Sequence, residues 1–171
     1  MKHAESDHLE LASQVGQLLE DQGQTIAVAE ATGCGLIGYL LTGIPGSSRY
    51  FLGGLSPYSR QGKVRGLGMS ESLLDEKGSV SSETALEMAH RVRDLFDSDL
   101  GVAETGIAGP GGGTLEKPVG LFYVAVAAKD GRDICQEHRF EDNREENRWQ
   151  AARATLELVA KFIEKGTCGI S

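Results

Sequence analysis

Apolar residues recur at intervals of three and four in three stretches of the chain, and this spacing predicts three amphipathic helices. The first covers residues 9–23, the second follows Ser81 and Ser82, and the third follows Asn143. Ser and Asn side chains accept hydrogen bonds from the first amides of a helix, so they mark the last two starts. The apolar stripes are Leu11, Ala12, Val15, Leu18 and Leu19; Ala85, Met88, Ala89, Val92 and Leu95 or Phe96; and Ala152, Leu156, Val159 and Phe162 or Ile163.

Short runs rich in β-branched and aromatic residues predict five strands, and a further short helix over residues 36–41 follows the first of them. The strands cover residues 25–29, 50–59, 99–107, 119–128 and 133–140. Pro57 implies that the second strand lies at an edge, carries a bulge or ends early, and Asp130-Gly131 is typical of a hairpin turn between the last two. Helices alternate with strands while the last pair is antiparallel. The pattern therefore predicts a three-layer α/β/α sandwich with a mixed sheet of about five or six strands.

Length and charge narrow the function classes. The 171 residues suit one domain, covering residues 1–171. The net charge of −8 disfavours nucleic acid as a partner. We expect neither a signal peptide nor a membrane segment, because no apolar run is long enough. Cys34, Cys135 and Cys168 lie far apart, which favours a reducing cytoplasm over disulfides. The scattered histidines predict no metal, and no cofactor is expected.

The residues that follow the first strand, 29–35, read Ala-Glu-Ala-Thr-Gly-Cys-Gly. A strand that turns sharply into a helix leaves backbone amides free to bind a phosphate or an oxyanion. A well-formed strand-to-helix turn without such a role explains the same residues. Cys34, near the helix start, is either a nucleophile with a lowered pKa or a packing cysteine.

Tyr58 lies near the end of the second predicted strand, and a helical turn after it is expected to bring Lys63 close by. A Tyr and a Lys together relay a proton from a nucleophile when burial lowers the lysine pKa. From spacing alone, an exposed lysine and a tyrosine at the edge of the core are the commoner interpretation.

A glycine-rich loop over residues 105–113, Thr-Gly-Ile-Ala-Gly-Pro-Gly-Gly-Gly, accounts for part of the high glycine count, 23 of 171 residues. It lacks the Gly-Lys-Ser/Thr ending of a Walker A loop and does not fit the dinucleotide-binding pattern. It offers unhindered amides to a ligand, or it is a flexible surface loop. Arg144 and Arg148, four residues apart, share a helix face and form either a phosphate clamp or a solvated surface.

Together these segments resemble the CinA C-terminal domain family over nearly the whole chain. The resemblance rests on Ala29-Glu30 with the following Thr and Gly, on residues 45–48 (Pro-Gly-Ser-Ser), on Tyr58-Ser59 with Lys63, on residues 105–110 (Thr-Gly-Ile-Ala-Gly-Pro) and on residues 117–120 (Lys-Pro-Val-Gly). The family includes amidohydrolases that convert nicotinamide mononucleotide to nicotinate mononucleotide and ammonia. The resemblance implies a serine nucleophile, proton transfer by Lys and Tyr, and backbone amides around the oxyanion.

Two positions depart from the family pattern. The usual first motif reads Ala-Glu-Ser-Cys-Thr-Gly-Gly, and the ungapped match places Ala31 where the nucleophilic serine stands. Glu104 precedes the Thr-Gly pair where a small or apolar residue is usual. Either the chain is active, with Thr32, Cys34 or a water activated by Lys63 and Tyr58 as nucleophile, or it binds a pyridine or related nucleotide without hydrolysing it. In a third interpretation, the protein hydrolyses or binds an unrelated compound, or it serves as a structural subunit.

The resemblance also implies the residues and partners of the site. A small phosphorylated nucleotide is the expected partner, and a homodimer is implied, for which Leu52 and Leu55 offer an apolar surface. The residues expected to bind the nucleotide are Glu30, Gly33, Gly35, Thr105, Gly106, Gly109, Gly111, Gly112, Arg144 and Arg148.

Overall fold

The computed structural model describes residues 2–167, so Cys168 lies outside the described residues. Eleven helices and strands and one short 3-10 turn (Ser47–Arg49) make up this part. In chain order they are α1 (Lys2–Gln22), β1 (Ile26–Glu30), α2 (Leu36–Thr42), β2 (Phe51–Leu55), α3 (Arg60–Leu67), α4 (Glu71–Lys77), α5 (Ser82–Phe96), β3 (Leu100–Gly106), β4 (Leu121–Ala128), β5 (Asp133–Arg139) and α6 (Arg144–Thr167).

The five strands form one mixed sheet in the order β2-β1-β3-β4-β5. Strand β1 runs parallel to β2 and β3, whereas β4 is antiparallel to both β3 and β5, as the predicted hairpin requires. Strand β2 lies at one edge and ends at Leu55, so the predicted strand over residues 50–59 was too long. Pro57 has no amide hydrogen to continue the ladder, which explains the early end.

Helices cover both faces of the sheet, which confirms the predicted three-layer sandwich. Along β1, Ile26 and Val28 pack into the core beneath α1, α2 and α6, whereas Ala27 and Ala29 face α5. The α5 side is built from small residues, and an added Cβ at Gly101 of β3 would lie 2.0 Å from the carbonyl oxygen of Ala89. Helix α5 therefore lies almost directly on the backbone of β3.

The predicted helix stripes face the core, and the structure decides between the two alternatives at the end of α5. Leu95 is 57% exposed, and Phe96 is the residue that packs on the core. The predicted caps are confirmed: the Ser81 hydroxyl accepts a hydrogen bond from the amide of Thr84, and the Asn143 side chain accepts from two amides of α6. The pattern did not predict α4, which begins after Ser70.

None of the helices in the described part of the chain is long and apolar enough to cross a bilayer.

Candidate active site

A cavity of about 290 Å³ opens at the C-terminal ends of the inner strands β1 and β3. Three segments singled out in the sequence converge on it: the turn after β1, the Tyr58 and Lys63 pair, and the glycine-rich loop. Its lining consists of Ala31, Thr32, Tyr58, Lys63, Ser79, Val80, Thr105, Gly106, Ile107, Ala108, Gly109, Gly111, Gly112 and Arg144. Ligands of open α/β sheets bind at the C-terminal ends of the strands, because loops and helix N-termini meet there.

The turn after β1 brings a methyl group and a hydroxyl to the cavity. Ala31 is buried and brings only a methyl group to the cavity. The hydroxyl of Thr32 donates to the carbonyl of Gly106 at 2.9 Å and accepts from the Gly106 amide at 3.0 Å. Because both of its hydrogen-bonding roles join β1 to β3, Thr32 contributes to the structure of the site and is poorly placed to act as a nucleophile.

Two buried carboxylates occupy the amides that the sequence suggested were free. Glu104 accepts hydrogen bonds from the amides of Thr32 and Gly33, and Glu30 accepts from three amides at the start of α2. Glu30 and Glu104 are register partners on β1 and β3. An added Cβ at Gly33 would lie 2.9 Å from Glu30 and 3.2 Å from Glu104. The turn is thus an anion site that the chain fills with its own side chains.

Burial raises the pKa of Glu104 to about 7, and the nearby Glu30 carboxylate adds to the rise, while the amides of Gly33 and Thr32 and the charge of Lys63 oppose it. Its second carboxylate oxygen, Oε2, has no hydrogen-bond partner among the described residues. Burial raises the pKa of Glu30 as well, against the effect of its helix amides. Both carboxyls lie beneath the turn and neither lines the cavity.

Lys63 and Arg144 are the two basic side chains among the residues that line the cavity. Lys63 is only 2% exposed, and its ammonium donates to the carbonyl of Pro57 at 3.2 Å. Burial lowers its pKa, partly offset by the charge of Glu104. The exposed ring of Tyr58 carries a hydroxyl that accepts from Arg144 at 3.2 Å. The commoner interpretation from spacing, an exposed lysine, is therefore wrong for Lys63.

The glycine-rich loop and the start of α6 also line the cavity. Arg144 donates to the carbonyl of Gly109 at 2.9 Å as well as to Tyr58. The amides of Gly109, Gly111 and Gly112 donate to no acceptor within residues 2–167. A buried Asn147, which the sequence analysis did not single out, holds the loop through the carbonyl of Ala108.

Some of the predicted site residues lie outside the cavity. The guanidinium group of Arg148 donates hydrogen bonds to the carbonyls of Thr32 and Gly33. Arg148 therefore stabilises the turn, whereas Arg144 lines the cavity. Cys34 is exposed with a positive φ of 53° and is not among the lining residues. Glu30, Gly33 and Gly35 build the turn without lining the cavity.

The cavity also has two lining residues that the sequence analysis missed, Ser79 and Val80. They precede α5, whose capped N-terminus lies at the same edge of the sheet, and this placement is the signal that could have found them. The described residues contain no group of three or more His, Cys, Asp or Glu side chains that could hold a metal ion.

Residues 8–163 match the CinA C-terminal domain family. The chain belongs to this family. A CinA-like protein of Geotalea uraniireducens is 48% identical over 151 residues, which cover 87% of this chain and 35% of that protein. A CinA-like protein of Thermosynechococcus vestitus is 43% identical over 160 residues, which cover 92% of this chain and 38% of that protein. The chain thus spans little more than a third of the length of these curated CinA relatives.

Solved CinA structures share the fold. The competence/damage inducible protein CihA from Agrobacterium tumefaciens is 39% identical, with a TM-score of 0.87 over 90% of this chain and 93% of that chain. A CinA superfamily protein from Escherichia coli is 26% identical, with a TM-score of 0.85 over 90% of this chain and 89% of that chain. The mixed sheet and its helical layers are those of the CinA family.

Proposed function

We propose that the cavity binds nicotinamide mononucleotide and that the chain hydrolyses its carboxamide to nicotinate mononucleotide and ammonia. The observation that carries this proposal is Lys63, a buried lysine with a lowered pKa that lines the same cavity as Ala31 and Tyr58. Small-molecule sites range from roughly 300 to 1,000 Å³, and the cavity, at about 290 Å³, is close to the lower limit of this range, which restricts it to a small ligand such as a mononucleotide.

Water is the nucleophile in this proposal. Ala31 has no reactive group, the Thr32 hydroxyl is bonded to Gly106 in both roles, and Cys34 is outside the cavity. A neutral Lys63 amine takes a proton from water as the water oxygen attacks the carboxamide carbon. The resulting ammonium returns that proton to the departing nitrogen when the carbon–nitrogen bond breaks, so the products are a carboxylic acid and ammonia.

The part of the cavity formed by Arg144 and the glycine-rich loop suits the phosphate. Arg144 brings a guanidinium group to the cavity, next to the amides of Gly109, Gly111 and Gly112, which have no acceptor within residues 2–167. Guanidinium groups and clustered amides are common ligands of phosphate. Arg144 would exchange its bonds to Tyr58 and Gly109 for the phosphate oxygens.

A second function, binding without hydrolysis, is favoured by one specific observation: the position that matches the family serine carries only the methyl group of Ala31. Loss of a covalent nucleophile commonly removes most of the rate enhancement of an acyl-transfer enzyme. In this case the same cavity would hold the nucleotide unchanged.

Ammonia release from nicotinamide mononucleotide distinguishes the two functions. The assay compares the wild type, Lys63→Met and the control Lys129→Met, whose side chain lies by the hairpin turn. Hydrolysis that Lys63→Met abolishes and Lys129→Met retains supports the amidohydrolase. Calorimetric binding without ammonia release supports the silent binder, and neither binding nor release refutes both.

The phosphate subsite has its own test, because nicotinamide riboside lacks the phosphate. Arg144→Ala should weaken binding of the mononucleotide at least tenfold and change binding of the riboside less than twofold. Equal losses for both ligands would contradict this placement of the phosphate.

The homodimer implied by the family remains a proposal. Leu52 of the edge strand β2 is 42% exposed and offers an apolar contact. Light scattering of the wild type and of Leu52→Glu tests it, with a monomeric variant as the expected result.

A further inference from the structure

The segment 77–80, which connects α4 to α5, forms one wall of the cavity through Ser79 and Val80. All four of its backbone carbonyls accept hydrogen bonds from side chains. Lys117 donates to the carbonyls of Lys77 and Val80, both at 2.7 Å; Thr84 donates to that of Gly78 at 2.7 Å; and Thr105 donates to that of Ser79 at 2.8 Å.

This arrangement determines which polar groups the wall can offer to a ligand. Each of the four carbonyls already accepts one hydrogen bond, so the backbone groups of Ser79 and Val80 that make no bond are the two amides. Neither amide has an acceptor within residues 2–167. Two unused amide donors in this wall favour the acceptor-rich groups of a ligand, such as phosphate or carbonyl oxygens.

Lys117 makes two of the four bonds, one at each end of the segment, from a loop about 40 residues further along the chain. The segment also fits around the lysine. Gly78 has a φ of 79°, and an added Cβ at this position would lie 3.1 Å from the Lys117 ammonium. The ammonium group of Lys117 thus binds backbone carbonyls of the segment, and Lys117 is not among the residues lining the cavity.

We propose that Lys117 is a positioning residue of the site: by holding both ends of the segment 77–80, it fixes the amide-bearing wall against which the ligand binds. The choice of ligand rests on the proposed function. The role of Lys117 in fixing the wall rests on the hydrogen bonds alone, so the two can fail separately.

The test compares Lys117→Met, which keeps the length of the side chain but donates nothing, with Lys117→Arg, which retains a donor for each carbonyl. Lys129→Met is the matched control, because Lys129 also donates to a backbone carbonyl, that of Asp97, at 2.9 Å. It follows the end of β4 that pairs with the start of β3, away from the cavity.

We expect Lys117→Met to raise the Kd for nicotinamide mononucleotide at least tenfold, Lys117→Arg to recover part of this loss, and Lys129→Met to stay within twofold of the wild type. In Lys117→Met, hydrogen exchange should accelerate at the amide of Gly78, which donates to the carbonyl of Leu74, and stay unchanged in α1 and β4. An unchanged Kd in Lys117→Met, or an equal rise in Lys129→Met, would overturn the proposal.

Failure of the proposed function gives a different result. If the wild type binds no nicotinamide mononucleotide, the ligand assignment is refuted, and exchange alone decides the role of Lys117. Faster exchange confined to the segment then supports a wall fixed by Lys117, and unchanged exchange overturns it.

Discussion

Replacing Glu104 with glutamine should remove the part of the pH dependence of stability that comes from this carboxyl. The carboxyl of Glu104 is fully buried, one oxygen accepts from the amides of Thr32 and Gly33, and the other has no partner among the described residues. Glutamine keeps an oxygen for the two amides but cannot ionise. The change therefore removes the charge while leaving the shape of the side chain nearly intact.

The size of the effect follows from the pKa of Glu104, which burial raises from 4.5 to about 7. Below the lower value the carboxyl is protonated in both the folded and the unfolded chain. Between the two values only the unfolded chain loses its proton, so the free energy of unfolding falls by about 1.4 kcal/mol per pH unit. Above about pH 7 the folded state carries a constant penalty of about 3 kcal/mol from this group.

Urea unfolding of the wild type and of Glu104→Gln at several pH values between about 5 and 8 measures this penalty. The stability of the variant relative to the wild type should rise by about 2.5 kcal/mol across that range. Asp130→Asn is the control: Arg132 lowers the pKa of Asp130, so this carboxyl is ionised in both states over the whole range and its difference should be flat. A flat difference for Glu104→Gln as well would refute the reasoning.

Two further predictions concern packing and reactivity. Gly101→Ala should destabilise the protein by about 3 kcal/mol or more, because the new Cβ would lie 2.0 Å from a carbonyl oxygen of α5. Gly66→Ala should raise the stability by about 0.5–1 kcal/mol, because a Cβ at this helical position would have no atom within 4 Å. Thermal melting should therefore show a lower melting temperature for the first variant and a higher one for the second. Alkylation of the exposed Cys34 should leave nucleotide binding by calorimetry unchanged. Burial raises the pKa of the Cys135 thiol to about 12, so this cysteine should react much more slowly in mass-spectrometric labelling; protection of Cys34 by nicotinamide mononucleotide would contradict its placement outside the cavity.

Much of the fold could be predicted because its signals are local. The stripe from Ala85 to Val92, the caps at Ser81 and Asn143, and the hairpin at Asp130 each depend on residues a few positions apart. Pro57 likewise predicted an edge position, a bulge or an early end for the second strand, because it lacks a backbone amide hydrogen. Helix α4 escaped prediction because it is only seven residues long, too short to show a clear apolar period.

The candidate site could be predicted only in outline. The turn, the Tyr58 and Lys63 pair and the glycine-rich loop could be identified from the sequence, because glycine-rich segments and the ends of predicted strands can be recognised from residue type and spacing. Arg144 and Arg148 looked equivalent, since they are four residues apart on one helix. The structure separates them: Arg144 reaches the cavity, while Arg148 binds the carbonyls of the turn.

The sequence by itself determined the order of helices and strands, the buried stripes and the family to which the chain belongs, since these depend on spacing and residue type. Only the tertiary structure decided which polar groups remain free for a ligand. Glu104 lies 72 positions from Thr32 along the chain, yet it takes the amides that the turn alone would leave open. A backbone amide donates to whichever acceptor the fold brings within hydrogen-bond distance, and that acceptor can lie far away in the sequence, where local patterns do not reveal it.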